Sequence, residues 1–142
     1  MWIVCSSKAI AYIEIPEDIM VIPAKVKALK AVQYQRVAQN VNQMKGCLAS
    51  GYPFVYGFTV YESFESKNVA KTGVVPMPAS GEKILGGHCV LAVGYDDSQQ
   101  RFLARNSWGT DWGLQGYFTV PYAYLTDPNL SSDFWTIRLI AA

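Results

Sequence analysis

The sequence has 142 residues, of which 51% are apolar and 16% are charged, and its formal net charge at pH 7 is +1. This length and composition suit a single well-packed globular domain and exclude an intrinsically disordered chain. The near-neutral charge, without a basic cluster, predicts neither nucleic acid nor an anionic membrane surface as a partner. The first residues lack the basic lead of a secretory signal, and no apolar run reaches the roughly 18 residues of a membrane span, so no compartment is predicted.

Two parts are predicted along the chain: an N-terminal extended or linking segment of residues 1–35 and a main domain of residues 36–142. In the first part prolines interrupt short apolar runs, which favours strands over a long helix. The predicted pieces are short strands within residues 9–15 and 19–22, one or two helical turns in residues 24–30, and a strand in residues 32–37.

A helix is predicted to begin after Asn40, whose side chain can cap the first turn. Apolar Val41, Met44 and Leu48 recur on one face of this helix. Gly51 then supplies a left-handed stop, so the helix is expected to end there.

Aromatic and β-branched residues dominate residues 52–64 and predict a long strand that is buried on at least one face. The side chains expected to share that face are Phe54, Tyr56 and Phe58. Polar and turn residues then predict a long surface connection over residues 65–83, with a short strand at residues 72–75.

A β-hairpin is predicted where two apolar runs, residues 89–95 and 101–108, flank a polar turn. His88, the only histidine, is expected to open one strand, and Asn106 is expected to close the other. The two side chains should therefore meet at one end of the strand pair. The remaining predicted elements are a loop at residues 109–116, a strand at residues 117–122, a loop at residues 124–132 and a last strand at residues 133–140.

Two motifs lie in and after this hairpin. They are Gly87-His88-Cys89-Val90 with Val93-Gly94-Tyr95, and Asn106-Ser107-Trp108-Gly109 continued by Trp112-Gly113 and Gly116-Tyr117. At this separation they resemble the C-terminal catalytic half of papain-like cysteine peptidases, in which a histidine and an asparagine lie side by side. The likeness extends more weakly from about Arg36 to the C-terminus. It implies an α+β fold, mainly the antiparallel, β-barrel-like right lobe of that family with one or two helices.

The resemblance also implies roles for the motif residues. A thiol peptidase needs a cysteine thiolate, a histidine that accepts and returns its proton, and a third group that orients the imidazole. His88 is expected to transfer the proton, Asn106 to orient the ring and Trp108 to cover their hydrogen bond. The residues expected to shape the site are Gly87, Ser107, Trp108 and Trp112. No cofactor or metal is implied, and the expected substrate is a peptide or protein.

Each residue also has a simpler interpretation. A lone histidine in an apolar strand is by default a core residue, and Asn106 alone is most often a turn former. Trp108 and Trp112 are by default packing residues. The co-occurrence of both motifs is what favours the catalytic interpretation.

The three cysteines have no close pair, so their spacing supports neither a disulfide framework nor a zinc site. None fits the nucleophile. Cys89 follows His88 on a strand and should face the other way, Cys47 lies late in a helix, and Cys5 lacks the family's surrounding residues. In the family the histidine follows the cysteine by roughly 130 to 150 residues. The nucleophile is therefore expected upstream of Met1.

We therefore expect a cysteine-type peptidase whose C-terminal part, present here, is inactive alone. The alternative is a non-catalytic papain-like homologue that binds a peptide or partner protein in the half-cleft, and a purely structural subunit is a third possibility. Because papain-like folds pack two lobes together, the surface that faces the missing lobe is expected to be apolar. Self-association of the chain through that surface is the expected consequence.

Overall fold

The computed structural model describes residues 4–6, 9–11 and 30–141, with side chains described from residue 33 to residue 138. Its strands are β1 (Val4–Ser6), β2 (Ala9–Ala11), β3 (Lys30–Arg36), β4 (Phe54–Tyr61), β5 (Ile84–Asp96), β6 (Arg101–Arg105), β7 (Tyr117–Pro121) and β8 (Ser131–Ala141). Within these residues the helices are α1 (Val41–Ala49), α2 (Lys67–Thr72) and α3 (Tyr122–Thr126). The predicted α+β class is confirmed.

The main body is a six-stranded sheet with the order β3-β8-β4-β5-β6-β7. Every neighbouring pair in it is antiparallel. A separate antiparallel pair joins β1 to β2. Strand β2 falls within the strand predicted at residues 9–15, whereas β1 was not predicted. The strand predicted at residues 19–22 lies outside the described residues, as do the helical turns predicted at residues 24–30 except for Lys30, which belongs to β3.

The core lies on one face of the sheet, and β4 shows why the sequence folds this way. Its residues alternate between buried and half-buried, with Phe54, Tyr56 and Phe58 on the buried side, as predicted. Their rings continue into a cluster that includes Phe64 and Phe118, both fully buried. Burial of such aromatic side chains is the largest favourable contribution to folding in this part of the chain.

The first helix forms as its capping residue predicts. The Asn40 side chain accepts a hydrogen bond from the Gln43 N–H at 2.9 Å, and Gly51 adopts the left-handed conformation at φ +82°. Met44 and Cys47 are the buried residues of α1. Of the predicted apolar face, Met44 is fully buried, while Val41 and Leu48 are half-buried.

Two helices lie where loops were predicted, so the described residues contain three helices rather than one or two. Helix α2 falls in the predicted surface connection, where the Ser66 hydroxyl accepts the Val69 N–H and Gly73 ends the helix at φ +65°. Helix α3 begins at the last residue of the strand predicted at residues 117–122, extends into the loop predicted at residues 124–132, and buries Tyr124 and Leu125. Both helices have six residues or fewer, which is too short for a clear apolar period.

Strand ends also differ from the prediction. Strand β5 begins at Ile84, four residues before His88. Strand β4 pairs with this first part of β5, which among the described residues has no partner on its β6 side. Strand β6 ends at Arg105, so Asn106 follows the strand rather than closing it. The predicted boundary between residues 35 and 36 falls within β3, and the division into two parts remains a prediction.

Candidate active site

The predicted meeting of the histidine and the asparagine is confirmed. His88 lies on β5 opposite Phe58 of β4, and Asn106 follows directly after β6. The His88 Nε2 and Asn106 Oδ1 atoms are 2.9 Å apart. Strand β6 pairs with β5 only from residue 91 onward, so the chain leaves the sheet beside His88 and brings the carboxamide to the imidazole.

A second hydrogen bond determines which way the Asn106 carboxamide points. The Ser107 backbone N–H donates to Asn106 Oδ1 at 2.8 Å, so that atom is the carbonyl oxygen and not the nitrogen. The oxygen only accepts, so His88 Nε2 must carry the proton of this hydrogen bond. In the neutral imidazole the lone pair is therefore on Nδ1, which is the atom free to accept a proton from a reaction partner.

Aromatic rings enclose the imidazole on several sides. Trp108 stacks on His88, with ring centroids 5.2 Å apart and planes inclined by 22°. Phe58 and Phe64 approach the imidazole at 5.8 Å and 6.4 Å. Trp112 lies edge-on to Trp108 at 5.2 Å and supports it from behind. The Trp108 indole thus lies over the imidazole, while 36% of its own surface remains exposed. Its covering of the hydrogen bond between His88 and Asn106 remains a prediction.

Burial lowers the pKa of His88 below its ordinary value of 6.5. The hydrogen bond that His88 donates to Asn106 and the nearby negative charge of Glu65 both act in the opposite direction and raise the pKa, but burial has the larger effect. At neutral pH the imidazole is therefore uncharged. An uncharged imidazole is the form that can act as a general base.

We expect the free energy of unfolding to fall as pH is lowered through the window between the pKa of folded His88 and about 6.5. In that window the unfolded chain binds more protons than the folded chain, because the folded-state pKa is the lower one. Urea unfolding at several pH values should show this decrease in the free energy of unfolding for wild type but not for His88→Gln. A tag-free chain has a single histidine, so its NMR titration gives the pKa directly. A His88 pKa at or above 6.5 would contradict the expectation.

The loop of residues 109–116 holds Asn106 in place. The Asn106 N–H donates to Gly116 O at 2.8 Å, and the Gly113 N–H donates to Ala70 O of α2 at 2.7 Å. Gly113 has φ +61°, and a Cβ built on it would lie 2.5 Å from Tyr117 O. The loop therefore packs against α2 and β7 with no room for a side chain at this glycine.

Gly109 provides a matched comparison for that position. It also has positive φ, at +88°, but a Cβ on it would meet nothing within 4 Å. We expect Gly109→Ala to reduce the free energy of unfolding by about 1–2 kcal/mol, the cost of a left-handed alanine. Gly113→Ala should cost about 3 kcal/mol or more, because the backbone must also move. If denaturant unfolding shows that both variants lose the same free energy of unfolding, the close approach at Gly113 has no energetic consequence.

The remaining predicted site residues occupy neighbouring positions. Gly87 pairs with Thr59 of β4, and a Cβ on it would make only an ordinary contact with Phe58 O at 3.9 Å. Ser107 contributes its backbone N–H to Asn106. Both lie beside His88 and Asn106, and their role in shaping the site remains a prediction.

No cysteine thiol lies beside His88 among the side chains that the structure describes. Cys47 is buried in α1, and its sulfur donates to Tyr52 O at 3.3 Å. Cys89 is buried and disulfide-bonded, a pairing that the cysteine spacing did not predict. The Cys5 side chain lies outside the described ones. The described part of the chain also has no group of three or more metal-ligating side chains and no helix able to cross a membrane.

Sequence reasoning missed two residues of the site, Phe64 and Glu65. Phe64 was assigned to the end of a strand, yet its ring lies 5.5 Å from both Trp108 and Trp112. Glu65 was assigned to a surface connection, yet its charge acts on the His88 imidazole. Both are more than 20 residues from His88 along the chain, and no local pattern signals such a contact.

Comparison with known proteins agrees with this geometry. Residues 18–129 match the papain family of cysteine proteases. The chain belongs to this family. An uncharacterized peptidase C1-like protein of Acanthamoeba polyphaga mimivirus is 46% identical over 122 residues, which make up 80% of this chain and 39% of that protein. A cathepsin B-like protein of Giardia intestinalis is 39% identical over 102 residues, covering 70% of this chain and 31% of that protein.

A solved structure from the papain family has the same fold. Xylellain, a cysteine protease from Xylella fastidiosa, superimposes with a TM-score of 0.70 at 46% identity and covers 75% of this chain. The match includes 39% of xylellain. The chain therefore spans between 31% and 39% of the length of these relatives.

Proposed function

We propose that this chain is the histidine- and asparagine-bearing part of a cysteine peptidase. The observation that supports the proposal is the contact between His88 Nε2 and Asn106 Oδ1, 2.9 Å apart, under the stacked ring of Trp108. A hydrogen bond at Nε2 leaves Nδ1 as the proton acceptor. Papain-family membership supports the same reaction class.

In this mechanism His88 moves one proton in each half of the reaction. Nδ1 accepts the proton of a cysteine thiol, and the thiolate attacks the carbonyl carbon of the peptide bond. The imidazolium then returns the proton to the departing amine as the C–N bond breaks and a thioester forms. In the second half Nδ1 accepts a proton from water, and the water oxygen attacks the thioester carbon. The C–S bond then breaks, the peptide leaves as a carboxylic acid, and the proton returns to the cysteine sulfur.

Asn106 keeps the imidazole in position through both halves. Its oxygen accepts the Nε2–H whether the ring is neutral or charged, so proton transfer occurs only at Nδ1. A carboxamide orients the ring without placing a second buried charge beside it. The indole of Trp108 lies over the imidazole and limits access of water to this hydrogen bond.

The isolated chain is proposed to be inactive. Neither Cys47, whose sulfur donates to a backbone carbonyl, nor Cys89, which is disulfide-bonded, supplies a thiol to His88. The nucleophile must come from a side chain outside those that the structure describes. His88 then acts as a base only when that side chain is present.

A thiol-directed epoxide inhibitor of peptidases tests the proposal. The isolated chain should bind no stoichiometric amount of inhibitor and hydrolyse no peptide. The product of the complete coding sequence should be labelled at one cysteine and hydrolyse peptides. Labelling of the isolated chain with turnover would refute its inactivity, whereas a complete product that neither reacts nor hydrolyses would favour a peptide-binding homologue.

We also propose that the isolated chain self-associates through the surface that meets the other lobe in complete relatives. The face of the sheet opposite the core carries a cavity of about 710 Å³ that borders Asn106. Its lining includes Val55, Leu91 and Tyr117, each of which lies between two buried residues along the chain. Sedimentation should show a concentration-dependent dimer, and Val55→Lys should weaken it. A monomer at every concentration would exclude self-association.

A further inference from the structure

The turn between β4 and α2 lies against the candidate active site. Within it Phe64 is fully buried and its ring packs 5.5 Å from Trp108 and 6.4 Å from His88. Two residues later the Ser66 hydroxyl accepts the Val69 N–H and begins α2. Glu65 therefore lies between two fixed neighbours, one of which packs against the imidazole.

The Glu65 side chain is exposed and has no polar partner among the described residues. Among the described residues it has no hydrogen bond and no ion pair, including none with Lys67, the closest cation along the chain. Glu82, in the same region, is engaged differently, because its two oxygens accept the backbone N–H groups of Ser63 and Ala79. Glu82 has a structural partner for each oxygen, whereas Glu65 presents its carboxylate to solvent.

Glu65 directly follows Phe64, whose ring packs against both His88 and Trp108, so Glu65 lies at the edge of the candidate site. Its negative charge also raises the pKa of His88 against the effect of burial. Glu62, which directly follows β4, has no such effect on His88. In the proposed reaction the imidazole lies next to the peptide bond that is hydrolysed. A charge that acts on the imidazole therefore also acts on the substrate residues flanking that bond.

We propose that Glu65 is a specificity-determining residue whose carboxylate binds a lysine or arginine side chain of the peptide, on a residue that flanks the hydrolysed bond. This inference rests on the proposed peptidase function. The ammonium or guanidinium group pairs with a carboxylate that has no partner of its own in the described residues. Glu65 touches the substrate side chain and takes no part in proton transfer.

The expected effect is moderate, because the carboxylate is exposed. An exposed ion pair changes a binding equilibrium by about two- to fivefold, and salt weakens it. We therefore expect the complete protein to hydrolyse a peptide with lysine beside the cleaved bond about fivefold faster in kcat/KM than the same peptide with glutamine there, at low ionic strength. The preference should decrease at high ionic strength.

Two charge-neutralising variants test the assignment. Glu65→Gln should remove the preference for lysine, whereas Glu62→Gln, with the same change in charge three residues away, should retain it. Peptides with lysine on either side of the cleaved bond identify which flanking residue is bound. An unchanged preference in Glu65→Gln, or an equal loss in both variants, would overturn the proposal.

Binding to the isolated chain separates this inference from the proposed function. If the complete protein hydrolyses neither peptide, the proposed function fails, and the NMR shifts of the single histidine report binding instead. The lysine peptide should then perturb the His88 ring resonances more than the glutamine peptide does, and Glu65→Gln should abolish the difference. Equal perturbation by both peptides in the wild-type chain would overturn the assignment of Glu65.

Discussion

Replacing His88 with alanine is expected to lower kcat for peptide hydrolysis by the complete protein at least about 10³-fold. The imidazole is the proposed proton acceptor for both the thiol and the attacking water, so its loss affects both halves of the reaction. The expected signature is a fall in kcat with a much smaller change in KM, because the ring acts in proton transfer rather than in peptide binding. Steady-state kinetics with a fluorogenic peptide measure both constants.

Two controls make the His88→Ala result interpretable. Thermal unfolding should show that the variant remains folded, since the ring is at the edge of the core. Cys47→Ala should retain turnover, because the Cys47 sulfur donates to Tyr52 O and lies away from the reaction. Turnover by His88→Ala within tenfold of wild type would exclude His88 as the general base. Loss of turnover in Cys47→Ala would instead point to this thiol as the nucleophile.

Phe64→Ala is expected to lower the free energy of unfolding by about 3–5 kcal/mol. Phe64 is fully buried, and the rings it contacts include Phe58, Trp108 and Phe118. Removing it leaves a cavity beneath the tryptophan that covers the imidazole. We therefore expect the His88–Trp108 stack to loosen as well, which NMR should detect as a shift of the His88 ring resonances.

Phe134→Ala is the matched control for this stability loss. Phe134 is also buried, but its ring contacts are with Phe54 and Tyr56, away from His88. Phe134→Ala should lower the free energy of unfolding, measured in urea, by a similar amount. The His88 resonances should not shift in this variant. Phe64→Leu keeps most of the buried volume and should remain folded if the alanine variant does not. Identical His88 spectra for wild type and both Phe64 variants would show that Phe64 does not support the site.

Local signals in the sequence were sufficient for several elements. Asn40 caps α1 as predicted, because a cap is decided by residues three positions apart. The alternation along β4 placed Phe54, Tyr56 and Phe58 on one face, since side chains in a strand alternate whatever the partner strand. The family motifs likewise identified His88 and Asn106, whose contact the structure confirms.

Elements that depend on distant partners were not predictable in the same way. Helix α2 lies in a stretch whose glycine and prolines indicate a loop, and tertiary packing of Val69 stabilises it. Strand β5 extends back to Ile84 because β4 offers it a partner there, which the composition of residues 84–87 does not indicate. In both cases contacts distant in sequence outweighed the local preference.

The sequence alone predicted which side chains carry the chemistry: one histidine, one asparagine in a specific motif, and no cysteine in a matching context. Only the tertiary structure decided the direction of the Asn106 carboxamide, and with it the ring nitrogen of His88 that can accept a proton. It also brought Phe64 and Glu65 to the imidazole. Residue type sets what a group can donate, accept or ionise, whereas distance and burial depend on how separate strands pair.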